Sequence, residues 1–160
     1  TNDINGKGSP MMKPYFAFGS NLWRQQMQQR CPGHRLLGHG VLAGYRWIIS
    51  SRGYANIVPD AAEVVQGLVY TLNAADEAVL DRYEGVAEQH YHKLMLPVRL
   101  PDQGLQACLV YVDTLRTDAG RPWPEYIVRI NHGIRDAGLD AAYVTRCIRP
   151  FVPDQPIPVS

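Results

Sequence analysis

YFAFGSNLWRQQMQQR, residues 15–30, changes character in its middle. Tyr15 to Phe18 is a short aromatic-rich run of the kind that packs as a buried strand. Gly19-Ser20-Asn21 stops it. Leu22 to Arg30 then holds strong helix formers and neither glycine nor proline. Ser20 or Asn21 is placed to cap that helix, because their side-chain oxygens can accept orphan N–H groups, and Pro32-Gly33 ends it. The unit reads as strand, glycine turn, helix.

The pattern outside this unit is dominated by strands. Val41 to Ser50, Ala55 to Val58 and Val64 to Leu72 are rich in Val, Ile, Tyr and Trp and are separated by glycine, proline and aspartate. Asn73 caps a helix that begins at Ala74, carries Asp76 and Glu77 in its first turn and groups Ala75, Val79 and Tyr83 on one face. Gly85 supplies its left-handed stop. Tyr91 to Leu100 and Leu105 to Asp113 read as two strands joined by the turn Pro101-Asp102-Gln103-Gly104. Pro124 opens a helix with Ile127, Ile130, Ile134 and Ala137 at helical spacing, and Gly138 closes it. Asp140 caps a last short helix through Cys147. Strands mostly follow strands, so the class is α+β, with a mostly antiparallel or mixed sheet that either stays open or closes into a barrel.

Composition bounds the rest. The chain has 160 residues and a mass of 17.9 kDa, the size of one domain. Hydrophobic residues are 46% and charged residues 19%, enough apolar surface for a packed core. The formal net charge is +1. That argues against a sequence-independent nucleic-acid binder, which needs clustered basic charge, and against a polybasic membrane anchor. An apolar run such as Cys108 to Val112 is far short of the roughly 20 residues of a membrane span. Cys31, Cys108 and Cys147 are odd in number and lack CxxC spacing, which suits a reducing, cytoplasmic setting. Residues 1–12 read as an expression remnant or a disordered lead-in, with no signal peptide. Residues 13–149 read as a single domain. Residues 150–160 form a proline-rich tail, expected to be extended, whether docked or loose.

Two places can carry chemistry. Phe18-Gly19-Ser20-Asn21 lies between a strand and a helix start, where orphan N–H groups and the positive dipole end favour an anion. Taken alone it reads better as a capped turn, for it is neither a phosphate loop nor a nucleophile elbow. Glu84 stands at a helix's last turn before Gly85. The dipole and partial burial there both raise a carboxylate's pKa toward the range useful for proton transfer, although a lone glutamate is more often a surface residue. Asp81 and Glu88 read as solvated acids. His90 and His92 share a strand face, but a catalytic zinc site needs a third ligand, so no metal site is assigned. His34, His39 and His132 are scattered. Gly38, Gly40 and Gly44 lack the spacing of a dinucleotide loop. Tyr15, Tyr45, Tyr70, Tyr83, Tyr111 and Tyr143 read mostly as core, and Tyr91 and Tyr126 on their own as ordinary amphipathic aromatics.

Together these motifs resemble the γ-glutamylcyclotransferase family, AIG2-like, in order from about Tyr15 to Ile148. Tyr15-Phe16-Ala17-Phe18-Gly19-Ser20-Asn21-Leu22 is similar to the family's YFAYGSNL signature. Ala55-Asn56-Ile57 falls at its Ala-x-Ile segment, and Gly67-Leu68-Val69-Tyr70 at its Gly-x-Val-Tyr/Trp strand. Leu80-Asp81-Arg82-Tyr83-Glu84-Gly85-Val86 resembles Leu-Asp-x-x-Glu-Gly-Val. Tyr91 follows at the family's distance, and Pro122-Trp123-Pro124-Glu125-Tyr126 resembles Pro-x-Pro-x-Tyr. Gly133, Gly138-Leu139 and Tyr143 resemble the closing helices. Phe18 departs from the pattern, where a tyrosine is usual.

The resemblance implies a small mixed, mostly antiparallel β-barrel flanked by helices. It also implies a cofactor-free enzyme that releases 5-oxoproline from a small-molecule γ-glutamyl amide, as in glutathione metabolism, by attack of the substrate's own α-amine. Glu84 falls at the catalytic glutamate. Tyr15, Phe16, Ala17, Phe18, Gly19, Ser20 and Asn21 would hold the glutamyl group, Tyr126 would touch substrate, and Tyr91 would border the site. The tyrosine hydroxyl that Phe18 lacks bears on substrate preference. A relative specialised for a γ-glutamyl amine or isopeptide, and a non-catalytic anion-binding module on the same fold, are the alternatives.

Overall fold

Strand β1 (Lys13–Ala17) lies between two partners and thereby joins the ends of one sheet. The computed structural model describes residues 12–154. After β1 come a 3₁₀ turn (Ser20–Leu22), helix α1 (Arg24–Arg30), strands β2 (Arg35–Ile49) and β3 (Ala55–Leu72), and helix α2 (Ala74–Tyr83). Strands β4 (His92–Leu100) and β5 (Gly104–Val112), helices α3 (Pro124–Ala137) and α4 (Ala141–Tyr143), and a π-helical turn (Val144–Ile148) complete the chain. The strands close a barrel in the order β1–β3–β2–β4–β5. Neighbours are antiparallel except β1 and β5, which run parallel where Tyr15 faces Leu109. The fold is therefore α+β, a mostly antiparallel five-stranded barrel flanked by helices, and no described helix is long and apolar enough to cross a membrane.

The barrel interior is filled by buried residues of every strand, among them Phe16, Leu42, Val69, Val98 and Cys108. Room for β1 against β3 depends on Gly67, where a Cβ would stand 2.1 Å from the Ala17 carbonyl oxygen.

Several elements differ from expectation. Ser20 and Asn21 do not cap α1. They form the 3₁₀ turn, their side-chain oxygens accept Gln26 Nε2 at 2.8 and 2.9 Å, and Trp23 is the extended residue before α1, with no side-chain cap. The stretches 55–58 and 64–72 form one long strand, because residues 60–63 stay in extended backbone opposite the register shift at Gly44. The buried residues of α2 are Asp76 and Leu80 rather than Ala75, Val79 and Tyr83. The Asp76 carboxylate accepts the Gly33 N–H at 2.9 Å and ties α2 to the end of α1, while Tyr83 is 60% exposed.

Asn73, Asp140 and Gly138 cap their helices as read from the sequence. Within the tail the described residues 150–154 turn instead of extending. The amides of Phe151 and Val152 both donate to the Ile148 carbonyl at 2.9 Å, Val152 is fully buried, and Phe151 meets Trp47 edge-on at 6.1 Å. Residues 155–160 and residues 1–11 of the lead-in lie outside the described residues.

Candidate active site

Four segments distant in sequence meet at one end of the barrel. The turn after β1 brings Phe18 to Asn21, the start of β3 brings Ala55, the C-terminus of α2 brings Glu84, and the first turn of α3 brings Tyr126. Tyr15, Tyr91 and Tyr111 complete the wall of a small cavity of about 40 Å³. A wider chamber of about 230 Å³ adjoins it, and Ser20, Glu84, Tyr91 and Tyr126 belong to the walls of both. Glu84 thus stands between the two spaces.

Glu84 ends α2 (φ −82°, ψ −4°). Gly85 then turns the chain at φ 63°, and a Cβ there would stand 2.5 Å from His90 Nδ1. The Glu84 carboxylate receives no hydrogen bond among the described residues, and its pKa is pushed up to about 7. Burial is the leading cause, Asp81 adds to it, and Arg30 and Arg52 pull the other way. The group therefore exchanges a proton near neutrality.

Tyrosine hydroxyls surround it. Tyr91 donates to the Ala55 carbonyl at 2.7 Å, and the Ala55 N–H donates to the Tyr126 oxygen at 3.2 Å. The Tyr15 oxygen accepts from Asn21 Nδ2 at 2.9 Å. Tyr15 and Tyr126 are thus held as acceptors, and their own protons remain to be donated. Burial keeps them protonated, raising Tyr126 to about 12 and Tyr15 and Tyr91 well above the usual value. Behind the turn, Gln26 bonds to Ser20 and Asn21 and accepts from Arg129 Nη1 at 2.9 Å. A buried network of this kind fixes the loop it supports.

Of the residues singled out in the sequence, Glu84, Tyr15, Phe16, Phe18, Gly19, Ser20, Asn21, Tyr91 and Tyr126 line the small cavity, and Ala17 does not. Ala17 is 2% exposed, paired with Leu68 inside the ladder. Phe18 packs against Phe16, and its carbonyl accepts the Trp47 indole N–H at 2.9 Å. Asp81 is not simply solvated, for it accepts the Tyr111 hydroxyl at 2.8 Å and Lys93 Nζ at 3.0 Å. His92 meets the Thr114 hydroxyl at 2.9 Å, and His34 and His39 bond to the carbonyls of Cys31 and Ala137, each at 2.6 Å. His132 stacks on Trp23. Among the described residues no group of three or more His, Cys, Asp or Glu is placed to hold a metal ion.

Sequence reasoning missed the Ala55 peptide, Tyr111 and the arginines of the wider chamber. Ala55 contributes backbone atoms, which residue type does not reveal. Arg30, Arg52 and Arg129 come from α1, the β2–β3 connection and α3, and no spacing links them.

The sequence matches the model of the family described as γ-glutamyl cyclotransferase, AIG2-like, over residues 15–126. No curated protein matches it. Among solved structures, one described as a γ-glutamyl cyclotransferase is 24% identical with a TM-score of 0.81, and the match covers 94% of each chain. An uncharacterised protein from Homo sapiens is 23% identical with a TM-score of 0.79, covering 93% of this chain and 92% of its own. A yeast γ-glutamyl cyclotransferase described as specific to glutathione is 11% identical with a TM-score of 0.55, covering 86% of this chain and 94% of its own. At these identities the likeness is one of fold.

Proposed function

From the premise that this chain belongs to the γ-glutamyl cyclotransferase, AIG2-like family, we propose that it cleaves a small γ-glutamyl amide by attack of the substrate's own α-amine, releasing 5-oxoproline and the free amine. One observation carries the reading. A carboxylate with a pKa of about 7, without a hydrogen-bond partner among the described residues, stands in the wall of a tyrosine-lined cavity beside a helical turn.

The reaction needs no protein nucleophile. It needs a proton carrier, a held substrate and donors for the developing oxyanion. Glu84, ionised, takes a proton from the α-ammonium. The freed nitrogen lone pair attacks the γ-carbon, the carbonyl π pair moves to oxygen, and a tetrahedral oxyanion forms. The turn from Gly19 to Asn21 starts a helical turn, so its amides lack partners one turn back and serve as donors. Protonated Glu84 then delivers its proton to the leaving nitrogen as the C–N bond breaks. The ring nitrogen gives up a second proton, so two protons leave the α-nitrogen and two reach the departing ammonium. Tyr15 and Tyr126, their oxygens already engaged as acceptors, donate to the glutamyl α-carboxylate. Tyr91 fixes the Ala55 peptide, which in turn holds Tyr126.

The test is 5-oxoproline release from a panel of γ-glutamyl amino acids, glutathione and γ-glutamyl amines, with Glu84→Gln alongside. Release by the native protein, reduced at least roughly a hundredfold in the variant, is the expected result for a general acid–base. Tight carboxylate binding with no product from any member, unaffected by Glu84→Gln, would instead identify a binding module.

A further inference from the structure

The hydrogen bonds behind the Phe18–Asn21 turn run in one direction, from the outside of the fold toward the small cavity. The chain starts at Arg129 on α3, whose guanidinium is gripped by Glu125 one turn away. Arg129 Nη1 donates to Gln26 Oε1 at 2.9 Å. Gln26 Nε2 donates to Ser20 Oγ at 2.8 Å and to Asn21 Oδ1 at 2.9 Å. Asn21 Nδ2 donates to the Tyr15 oxygen at 2.9 Å, and Tyr15 lines the cavity. Gln26, Asn21 and Tyr15 are all buried, and Gln26 itself lines neither the small cavity nor the wider chamber.

The chemistry of the end groups fixes this direction. A guanidinium has donors and no acceptor, so the Gln26 oxygen has to face Arg129 and its NH2 has to face the turn. Asn21 Oδ1 meets a second guanidinium, that of Arg30, at 3.1 Å. The Asn21 amide is therefore held with its oxygen toward the arginine and its NH2 toward Tyr15. A phenol oxygen that accepts from an amide keeps its own proton to give. Turning either amide over would set a buried donor against a cation and leave another group unpaired, which is costly away from water.

We propose that Gln26 is a positioning residue, which passes the direction imposed by Arg129 to Ser20 and Asn21 and so keeps the Tyr15 hydroxyl a donor into the cavity. The proposal rests on the cyclotransferase reading, in which Tyr15 donates to the glutamyl α-carboxylate. Gln26 acts through Asn21 and Tyr15 and not by contact with the substrate. Glutamate in its place is the informative change. It keeps the shape and can pair with Arg129, but a carboxylate only accepts. Ser20 and Asn21 then have to donate to it. An Asn21 amide turned over for that purpose presents its oxygen to Tyr15 and takes the phenol proton.

The experiment is a double-mutant cycle on 5-oxoproline release from whichever γ-glutamyl compound of the panel the native protein turns over fastest. Native protein, Gln26→Glu, Tyr15→Phe and the double variant are compared, with urea unfolding of each. Tyr15→Phe should lower kcat/KM by roughly 10- to 100-fold, the worth of a hydrogen bond to a charged group. Gln26→Glu should lower it by about tenfold, mainly through KM, and should add little further loss once residue 15 is phenylalanine. An added carboxylate also acts on Glu84, but that part is common to both backgrounds and drops out of the cycle. Arg129→Met frees the Gln26 amide to turn over and tests the same chain should Gln26→Glu fail to fold. It should lose several-fold in the native background and little in the Tyr15→Phe background, and Arg129→Lys, again a pure donor, should recover part of the loss. Equal losses in the two backgrounds would reduce Gln26 to a packing role and overturn the proposal, as would native kinetics in Gln26→Glu. Release from no member of the panel removes the cyclotransferase reading and the proposal with it, a result distinct from release with equal losses.

Discussion

Glu84 stands where a charged carboxylate is least comfortable. Its pKa of about 7 follows from burial, whereas the unfolded chain holds a glutamate near ~4.3. Between these values the native state binds more protons than the unfolded state. Stability linked to this residue is therefore complete below the unfolded value and is lost as pH rises through about 7. Glu84→Gln keeps the shape and cannot ionise. Urea unfolding should find the variant and the native protein nearly equal at about pH 4, with the variant more stable by about 1–3 kcal/mol at about pH 8. The residue is only partly buried, which keeps the difference below what the full shift would give. A stability difference that does not vary with pH would mean that the native carboxyl titrates like an exposed one.

Strand β1 and the turn that follows it are positioned by what β3 omits. Gly67 lets the Ala17 carbonyl approach to a point where a Cβ would stand 2.1 Å away. Gly67→Ala should therefore push β1 outward, costing about 3 kcal/mol by overpacking and raising KM, because β1 leads directly into the Phe18–Asn21 turn. Unchanged denaturant stability would show that the barrel opens at this seam without cost. Elements were legible where local chemistry alone decides them. Asn73 before an acidic first turn, Pro124 before an isoleucine spacing, and Pro101 to Gly104 between two apolar runs all mark boundaries that stand within about a residue. Less legible were features set by partners. The Ser20 and Asn21 side chains read as caps, yet Gln26 claims their oxygens. Val79 and Tyr83 read as a buried face, but the Gly33 contact with Asp76 rotates α2 away from them. The same division holds in the candidate site. The place of Glu84 at a helix end before a glycine marked it only together with the family resemblance, while Ala55 contributes a peptide group to the cavity wall and the arginines come from distant elements.

Barrel closure makes the site a property of the whole chain. Only when β1 meets β5 at Tyr15 and Leu109 do the turn, the α2 end and the α3 start face one another. The C-terminal segment reinforces this from outside. Val152 is fully buried, the Pro153 carbonyl accepts Asn131 Nδ2 at 3.0 Å, and Phe151 rests on Trp47. Trp47 in turn donates its indole N–H to the Phe18 carbonyl at 2.9 Å, so the segment after α4 is one residue removed from the cavity wall. Val152→Ala removes two methyl groups from a filled site and should cost about 2 kcal/mol. The loss should appear as a single lowered unfolding midpoint, seen equally by tryptophan fluorescence and by far-ultraviolet circular dichroism. If fluorescence shifted alone, the segment would be undocking ahead of the barrel, and the link from Val152 through Phe151 and Trp47 to Phe18 would not be part of the cooperative fold.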